Sequence, residues 1–358
     1  AVDHMINEGV DGVEFICANT DSQALKRNKA KTLLQLGPNV TKGLGAGANP
    51  DIGREAAMED RERIIELIEG ADMLFLTAGM GGGTGTGAAP IVAEAARELG
   101  ILTVAVVTKP FAFEGKRQKI AQQGLEELCR HVDSLIVIPN DKLMQVLGED
   151  VSMLDAFKAA NTVLHGAVAG IAEVIKCPGL VNVDFADVRT VMSEMGMAMM
   201  GSAVAAGLDR AHSAAEQAVA SPLLEDVDLA GARGVLVNIT ASSSLKMKEV
   251  HEVMNAIKGF TAEDATVIVG TVIDETMEDR LRVTMVATGL GGAINRHQQK
   301  PLTMVKTGTD ATLIEVNYRD LETPAVMRRR SRDAAVEAMK QSGVDTLDIP
   351  AFLRKQAD

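Results

Sequence analysis

The first 140 residues alternate short apolar runs with longer amphipathic stretches. The apolar runs have the length of strands and are almost continuous, which is typical of strands buried on both faces of a parallel sheet. Helical patterns separate them, and this alternation predicts a doubly wound α/β domain. The apolar runs are 13–18, 73–78, 101–108 and 134–139, and the helical patterns are 51–69, 87–99 and 115–131.

A longer helical pattern occupies residues 152–176, with Ser152 as a candidate cap and a stop at 177–179. Small and apolar residues lie on most of its sides, so we expect this helix to be buried between two parts of the protein. Beyond it, strand-like runs surround a further helical pattern, which predicts a smaller α+β domain. These runs are 234–241, 265–272 and 280–288, the helical pattern is 244–258, and a methionine group at 192–200 is interpreted as packing residues.

The composition excludes several classes of protein. With 46% hydrophobic residues the chain can bury sizeable cores, and 36 basic against 49 acidic residues give a net charge of −13, which argues against a nucleic-acid binder. Aromatic residues make up only 3% and tryptophan is absent, so a stacking platform for single-stranded nucleic acid is not expected. No apolar run approaches the roughly 20 residues that span a bilayer, and no signal peptide is visible. Three widely spaced cysteines (Cys17, Cys129 and Cys177) fit buried thiols in a reducing cytosol.

The sequence changes character after Leu290. Residues 291–347 are polar with little periodicity, which predicts a disordered linker. The closing segment regains apolar character, with Ile349, Phe352 and Leu353 on one helical face. Such a segment is typical of a short helix-in-groove ligand on a flexible tether, and a frayed tail is the alternative.

The most informative stretch is a run of nine residues from Gly79 to Gly87, six of which are glycine. It follows a predicted strand and precedes a predicted helix. Without Cβ atoms, backbone N–H groups can approach an anion closely, and the following helix N-terminus adds partial positive charge. Thr84 and Thr86 can donate hydroxyl hydrogen bonds. The stretch therefore predicts a site for a di- or triphosphate, with a flexible loop as the alternative.

Two common phosphate motifs do not explain this run. The Walker sequence G-x-x-x-x-G-K-[ST] is absent from the chain, and the run lacks the G-x-G-x-x-G/A register of a dinucleotide fold. Residues 43–48 do match G-x-G-x-x-A, but they lie several residues after a short apolar run. A dinucleotide-dependent enzyme built on 43–48 is therefore a weaker alternative.

The sequence Gly-Gly-Gly-Thr-Gly-Thr-Gly at 81–87 resembles the signature of the tubulin/FtsZ superfamily of GTPases. Further segments resemble its bacterial FtsZ branch in the family's order, at 19–21, 43–50, 182–188 and 348–353. The resemblance implies a Rossmann-like parallel-sheet GTPase domain joined by a long central helix to a smaller α+β domain, then a disordered linker and a short terminal peptide. The implied bounds are 1–151 (GTP-binding domain), 152–181 (central helix and connecting loop), 182–290 (C-terminal activation domain), 291–347 (linker) and 348–358 (partner-binding peptide).

The resemblance also assigns residues that bind GTP and GDP. Glu114 is implied to bind the ribose, because a carboxylate can accept two sugar hydroxyls. Arg117 is implied to approach the phosphates or sugar. This assignment assumes that one residue is deleted between Glu114 and the arginine relative to the family, which often places that arginine four residues after the acid. Without the deletion, Gln118 occupies the arginine position. A solvated helix start is the alternative for both charges. The implied phosphate residues are Gly81, Gly82, Gly83, Thr84, Gly85, Thr86 and Gly87, and the loop implied to sense the γ-phosphate is Gly45, Ala46, Gly47 and Ala48.

Phe157 and Asn161 are four residues apart on the long helical pattern and share a face. A ring can stack on a purine, and an amide can donate to and accept from the guanine edge. The resemblance assigns both residues to the base, whereas the residues alone favour a core Phe and a surface Asn.

FtsZ-like proteins begin with a strand and a Gly-rich loop that holds the diphosphate, and neither precedes Ala1 in this sequence. We therefore expect either a nucleotide site that lacks one wall or a sequence truncated relative to the native protein.

Asn182, Asp184 and Asp187 lie where a loop meets a helix predicted to start near Phe185. Helix capping explains one acid, but Asp184 and Asp187 are three residues apart and project from the same side of the helix start. Hydrolysis of a γ-phosphate needs an oriented water and a metal that offsets charge, and two carboxylates can position a water and hydrated Mg²⁺. The resemblance implies that Asp184 and Asp187, supported by Asn182, act on the nucleotide of the next subunit.

The resemblance implies a GTP-dependent polymerising cytoskeletal protein of bacterial cell division, which is cytoplasmic and placed at mid-cell. Its copies would stack head to tail, with GTP hydrolysis at each contact. Residues 348–358 resemble the peptide that binds membrane-tethering partners such as FtsA and ZipA, and neither nucleic-acid binding nor direct membrane insertion is expected. A scaffold that binds GTP without turnover is the other alternative.

Overall fold

The computed structural model describes residues 1–10, 12–147, 152–176, 183–193, 196–221, 232–262 and 265–290. The predictions for Asn182, for the linker at 291–347 and for the peptide at 348–358 lie outside these ranges.

The first half of the chain alternates strands with helices, as the apolar runs predict. The glycine run at 79–87 connects β3, which ends at its first residue, to α6, which starts within it. In chain order the elements are α1 (Val2–Glu8), β1 (Ile16–Asn19), α2 (Ser22–Lys26), β2 (Thr32–Gln35), α3 (Pro38–Thr41), α4 (Pro50–Glu59), α5 (Arg61–Ile68), β3 (Met73–Gly79), α6 (Thr84–Glu98), β4 (Leu102–Lys109), α7 (Lys116–Leu128), β5 (Ser134–Pro139), α8 (Asn140–Leu147) and α9 (Met153–Lys176).

The second half contains longer strands and fewer crossover helices. Its elements are α10 (Phe185–Met192), β6 (Gly196–Ala206), α11 (Arg210–Val219), β7 (Gly234–Ala241), α12 (Met247–Lys258), β8 (Thr266–Ile273) and β9 (Arg280–Leu290).

Within the described ranges the strands form a small sheet and a large one. β1 and β2 pair in parallel, and the other strands form a sheet in the order β3-β4-β5-β6-β9-β7-β8, in which β9 runs antiparallel to β6 and β7. The predicted α/β class, with a parallel sheet in the first half, is confirmed. The large sheet continues through both halves because β5 pairs with β6, for example at Ser134 with Gly196 and Leu135 with Met197.

The helical pattern at 51–69 forms two helices that meet at Asp60, so the prediction of one helix is wrong. Asp60 is only 6% exposed. Its Oδ2 accepts a hydrogen bond from Gly37 N at 2.7 Å, and its Oδ1 accepts one from Arg63 Nη1 at 3.1 Å. A carboxylate turned inward toward these donors separates α4 from α5.

Strand β6 has no clear signal in the sequence. It is rich in Gly, Ala and Met, which are poor or neutral strand formers. Its conformation comes from tertiary pairing with β9, which extends from Met197 opposite Leu290 to Ala206 opposite Arg280. Met192 and Met200 are buried in the core, in agreement with the packing role predicted for these methionines, whereas Met197 is exposed.

The central helix α9 lies directly against the large sheet, as expected for a buried helix. A Cβ at Gly170 would lie 2.8 Å from Thr284 Cγ2 on β9, so glycine permits the close approach. Asn238 Nδ2 on β7 donates to Gly170 O at 3.2 Å, and Arg282 on β9 pairs with Glu173 at 2.8 Å. None of the helices in the described ranges is both long and apolar enough to cross a membrane.

Candidate functional site

Three segments that are distant in sequence meet at the start of α6. Gly83 N donates to Gly47 O at 2.9 Å, so the glycine run contacts the loop predicted to sense the γ-phosphate. Thr20, which is fully buried, joins both of these segments. Its hydroxyl oxygen lies 2.6 Å from the Thr84 hydroxyl and accepts a hydrogen bond from Ala46 N at 3.1 Å. Sequence reasoning missed Thr20 as a site residue, and its only signal was the segment 19–21 within the family resemblance.

Packing explains much of the glycine content of the run. A Cβ on Gly83 would lie 2.6 Å from Gly47 O and 2.8 Å from Ala46 O. A Cβ on Gly87 would collide with Pro50 O at the start of α4. These glycines let α6 and α4 approach each other closely, and that contact shapes the two loops into one surface.

Helix α6 starts at Thr84 and presents its N-terminus to this surface. No side chain caps its first N–H groups. The Thr86 hydroxyl instead accepts a hydrogen bond from Gly81 N at 2.9 Å, which folds the run back over the helix start. Uncapped N–H groups and the helix dipole favour an anion at this position.

The candidate ribose acid and the candidate phosphate cation are bonded to each other. Glu114 Oε2 accepts a hydrogen bond from Arg117 Nη1 at 2.7 Å, and Arg117 Nη2 is the nearest atom, at 3.9 Å, to a Cβ built on Gly82. Gln118 Nε2 points instead to Pro110 O at 3.4 Å. This arrangement favours Arg117 over Gln118 as the residue that takes the family's arginine position beside the glycine run.

An aromatic cluster connects the segment around Glu114 to the central helix α9. The rings of Phe157 and Phe111 meet edge to face with centroids 6.1 Å apart, and Phe111 stacks on Phe113 at 5.1 Å. Phe157 is 46% exposed, so its ring has a free surface on which a base can stack. Asn161 follows one turn later, half-buried, and its amide makes no hydrogen bond within the described part of the chain. Phe111 and Phe113 were not assigned from the sequence, although they adjoin Glu114.

The two candidate catalytic carboxylates lie at the start of α10, as predicted. Asp184 is the N-cap, and its Oδ1 accepts a hydrogen bond from Asp187 N at 2.8 Å. Both side chains are exposed. Capping therefore accounts for the position of Asp184 but leaves the Asp187 carboxylate facing solvent.

The carboxylates and the glycine run lie at opposite ends of the parallel strands. Arg189, two residues after Asp187 on α10, donates to Gly100 O at 3.3 Å, and Gly100 lies two residues before the first residue of β4. The glycine run begins at Gly79, the last residue of β3, which pairs in parallel with Thr108 near the end of β4. Strand β4 has 8 residues, which at about 3.3 Å per residue separates its ends by roughly 23 Å. Asp187 is therefore too far from the glycine run of its own chain to touch a phosphate bound there.

Among the described residues, no group of three or more His, Cys, Asp or Glu side chains could hold a metal ion.

Comparison with known proteins agrees with this geometry. The description "Tubulin/FtsZ family, GTPase domain" matches residues 1–148, and "FtsZ family, C-terminal domain" matches residues 196–291. The cell division protein FtsZ of Pseudomonas aeruginosa is 59% identical over all of this chain and 94% of its own length. The chain belongs to the FtsZ family of tubulin-like GTPases. A second FtsZ, from Coxiella burnetii, is 61% identical over 99% of the chain and 92% of its own length.

Solved structures of FtsZ share the fold. An empty FtsZ dimer from M. jannaschii superposes with a TM-score of 0.77 and 46% identity, covering 80% of this chain and 84% of the other. CetZ2 from Haloferax volcanii, solved as a GTPγS-bound protofilament, superposes at 0.68 with 20% identity over 81% of this chain and 89% of the other, which shows the fold alone.

Proposed function

We propose that this FtsZ-family chain is a GTP-hydrolysing cell-division protein that assembles head to tail, with each active site completed by a second copy. The separation of Asp187 from the glycine run by the full length of β4 carries this proposal. One copy cannot bring both groups to one phosphate. Stacking the α10 end of one copy on the phosphate surface of the next does so, and repetition of that contact gives a filament.

In this proposal the nucleotide lies on the surface formed by the glycine run and residues 45–48. The first N–H groups of α6 and the backbone around Gly82 bind the phosphates, and Arg117 adds a positive charge beside them. The Glu114 carboxylate binds the ribose hydroxyls. These hydroxyls replace part of the ion pair that Glu114 forms with Arg117. Phe157 stacks on the guanine, and the Asn161 amide binds its edge.

Hydrolysis is proposed to use the acids of the neighbouring copy. Asp187 accepts a hydrogen bond from the attacking water and orients it in line with the leaving oxygen, while Asp184 holds the helix start and helps to position the water. Asn182 supports the two acids. Mg²⁺ would be held by the bound phosphates and would offset their negative charge. Loss of the γ-phosphate then removes contacts at the junction between copies, so turnover weakens the filament.

The proposed setting is the cytoplasm at the mid-cell division site. Residues 348–358 are proposed to bind membrane-tethering division proteins such as FtsA and ZipA as a short helical ligand. The folded body needs no membrane contact of its own in this scheme. Removal of 348–358 is expected to abolish capture by such partners and to leave GTP-dependent assembly intact.

Sedimentation and phosphate release measured on the same samples test the proposed function. With GTP and Mg²⁺ the chain is expected to pellet and to release phosphate, and with GDP it should stay in the supernatant. ATP serves as the control for base recognition. Pelleting with GTP but no phosphate release supports a non-catalytic scaffold, and NAD binding with no response to GTP supports a dinucleotide enzyme.

A further inference from the structure

A small polar cleft lies at the amino end of β4, away from the nucleotide surface. Its volume is about 110 Å³, and its polar lining consists of Arg97, Asp133, Arg189 and Ser193 around the backbone at Gly100. Since one water occupies about 30 Å³ in the liquid, the cleft has room for roughly four waters. It therefore has room for one functional group or one inserted side chain.

The two arginines in this cleft are positioned by backbone contacts that leave most of their donors available. Arg97 Nη1 donates to Arg130 O at 2.6 Å, and Arg189 Nη2 donates to Gly100 O at 3.3 Å. A guanidinium carries five N–H donors, so each retains several for a ligand. The Arg189 guanidinium also lies over the ring of Phe185, 5.5 Å from its centre, which is within the range of a cation–π contact. Neither arginine forms an ion pair within the described ranges.

The remaining polar groups narrow the choice of ligand. Asp133 Oδ2 accepts a hydrogen bond from Thr103 N at 2.8 Å, so the carboxylate is fixed in the cleft wall. The formal charge of the lining is thus +1, which complements a single negative charge better than a phosphate dianion. The exposed hydroxyl of Ser193, at the end of α10, offers an additional donor, and Ser134 Oγ bonded to Met192 O at 3.0 Å anchors that end of the helix.

We propose that this cleft is a socket for the carboxylate of an acidic side chain supplied by a protein partner. Arginine binds carboxylates through two parallel hydrogen bonds, and the small volume suits the end of an Asp or Glu side chain that enters from a peptide. The site is separate from the GTP surface, which lies beyond the carboxyl ends of the strands. Binding in the socket therefore requires no nucleotide, although Arg189 lies on α10, the helix whose start the proposed filament contact uses.

The test is NMR of ¹⁵N-arginine-labelled full chain without GTP, titrated with acetylated tetraglutamate amide at constant ionic strength. The Nε–Hε signals of Arg97 and Arg189 are expected to shift in a saturable manner, and tetraglutamine should leave them in place. Arg97→Gln should weaken binding by about tenfold or more, because hydrogen bonds to charged groups are lost. Arg130→Gln is the matched control, since this neighbouring arginine does not line the cleft, and it should leave binding unchanged.

Two further titrations distinguish a socket for a peptide carboxylate from a site for free anions. Asp133→Asn removes the repulsive charge and should tighten tetraglutamate binding, and an unchanged affinity contradicts the proposal. Inorganic phosphate should bind more weakly than tetraglutamate. If phosphate binds more tightly through the same arginines, the cleft is a site for free anions and the peptide socket is wrong. Equal shifts of all exposed arginines, or no response of Arg97 and Arg189, also overturn it.

Discussion

The hydroxyl oxygens of Thr20 and Thr84 lie 2.6 Å apart, and this hydrogen bond joins the end of the small sheet to the first residue of α6. Thr20 also accepts from Ala46 N, so one buried side chain links the glycine run to residues 45–48. The proposed nucleotide site therefore depends on a residue that is itself fully buried.

Thr20→Val should loosen this junction with little change in side-chain volume. It leaves Ala46 N and the Thr84 hydroxyl without their partner, which costs about 1–3 kcal/mol of stability. We expect a lower midpoint in urea denaturation and weaker GTP binding by fluorescence titration. Thr190→Val, which removes an exposed hydroxyl bonded only within α10, is the control and should change neither value. Unchanged stability of Thr20→Val would show that the contact does not support the loops.

Gly83→Ala should separate the glycine run from residues 46–49. The added Cβ would approach three carbonyl oxygens within 2.8 Å, and overpacking of this kind costs about 1–3 kcal/mol. We expect lower thermal stability and a larger loss of GTP affinity. Gly166→Ala on α9 meets no atom within 4 Å and should raise stability by up to about 1 kcal/mol, because Ala is the better helix former. Equal effects of the two substitutions would contradict the packing argument.

Asp187→Asn should retain GTP binding and lose at least about a hundredfold in turnover, the size expected for loss of a general base. Asp184→Asn provides an informative comparison, because an Asn side chain can cap the helix equally well. It should preserve stability and reduce turnover less than Asp187→Asn. Glu62→Gln, an acid in the first turn of α5, is the control. Loss of GTP affinity equal to the loss of turnover would assign Asp187 a structural role.

The second half of the chain should become less stable at acidic pH, because the ion pair between Arg210 and Glu249 is lost there. Arg210 is 6% exposed and donates from Nε to Glu249 Oε1 at 2.7 Å. These hydrogen bonds lower the pKa of Glu249 below its ordinary value. A lowered folded-state pKa adds stability above the unfolded pKa, and that stability is lost as the pH falls through the folded value.

Denaturation curves from pH 7 down to about pH 3 test this effect, since an unfolded Glu titrates near pH 4.3. Glu249→Gln should be less stable than the parent at pH 7, because it leaves the buried Arg210 without its charge partner. The difference between the two proteins should shrink toward acid. A constant difference across this range would exclude the ion pair as the cause.

The parts of the fold that could be predicted are those set by local pattern. β4 and β5 appear in the sequence as nearly unbroken apolar runs because their side chains are buried on both faces of the sheet. β3 shows the same pattern but lies at the edge of the sheet, where its residues are half-buried. β6 could not be predicted in this way, since its Gly, Ala and Met residues adopt a strand only through pairing with β9. The break at Asp60 depends on a long-range hydrogen bond to Gly37 N, which no local pattern contains.

The same distinction applies to the candidate site. The glycine run and the carboxylates were recognisable, and the family resemblance implied that the carboxylates act on the next subunit. The residues alone could not give the distance between the two groups, because it depends on the parallel pairing of β3 with β4 and on the contact of Arg189 with Gly100. Thr20 was overlooked because a lone buried threonine has no chemical signature until its two partners are known.

The shared active site is tested most directly by the specific GTPase rate, the turnover per chain, measured against protein concentration with sedimentation in parallel. If Asp187 acts on the nucleotide of the next copy, turnover is expected to be negligible below a critical concentration and to appear at the same concentration as the pellet. A specific rate that is independent of concentration, including dilutions at which nothing sediments, would contradict the account, because each chain would then hydrolyse GTP alone.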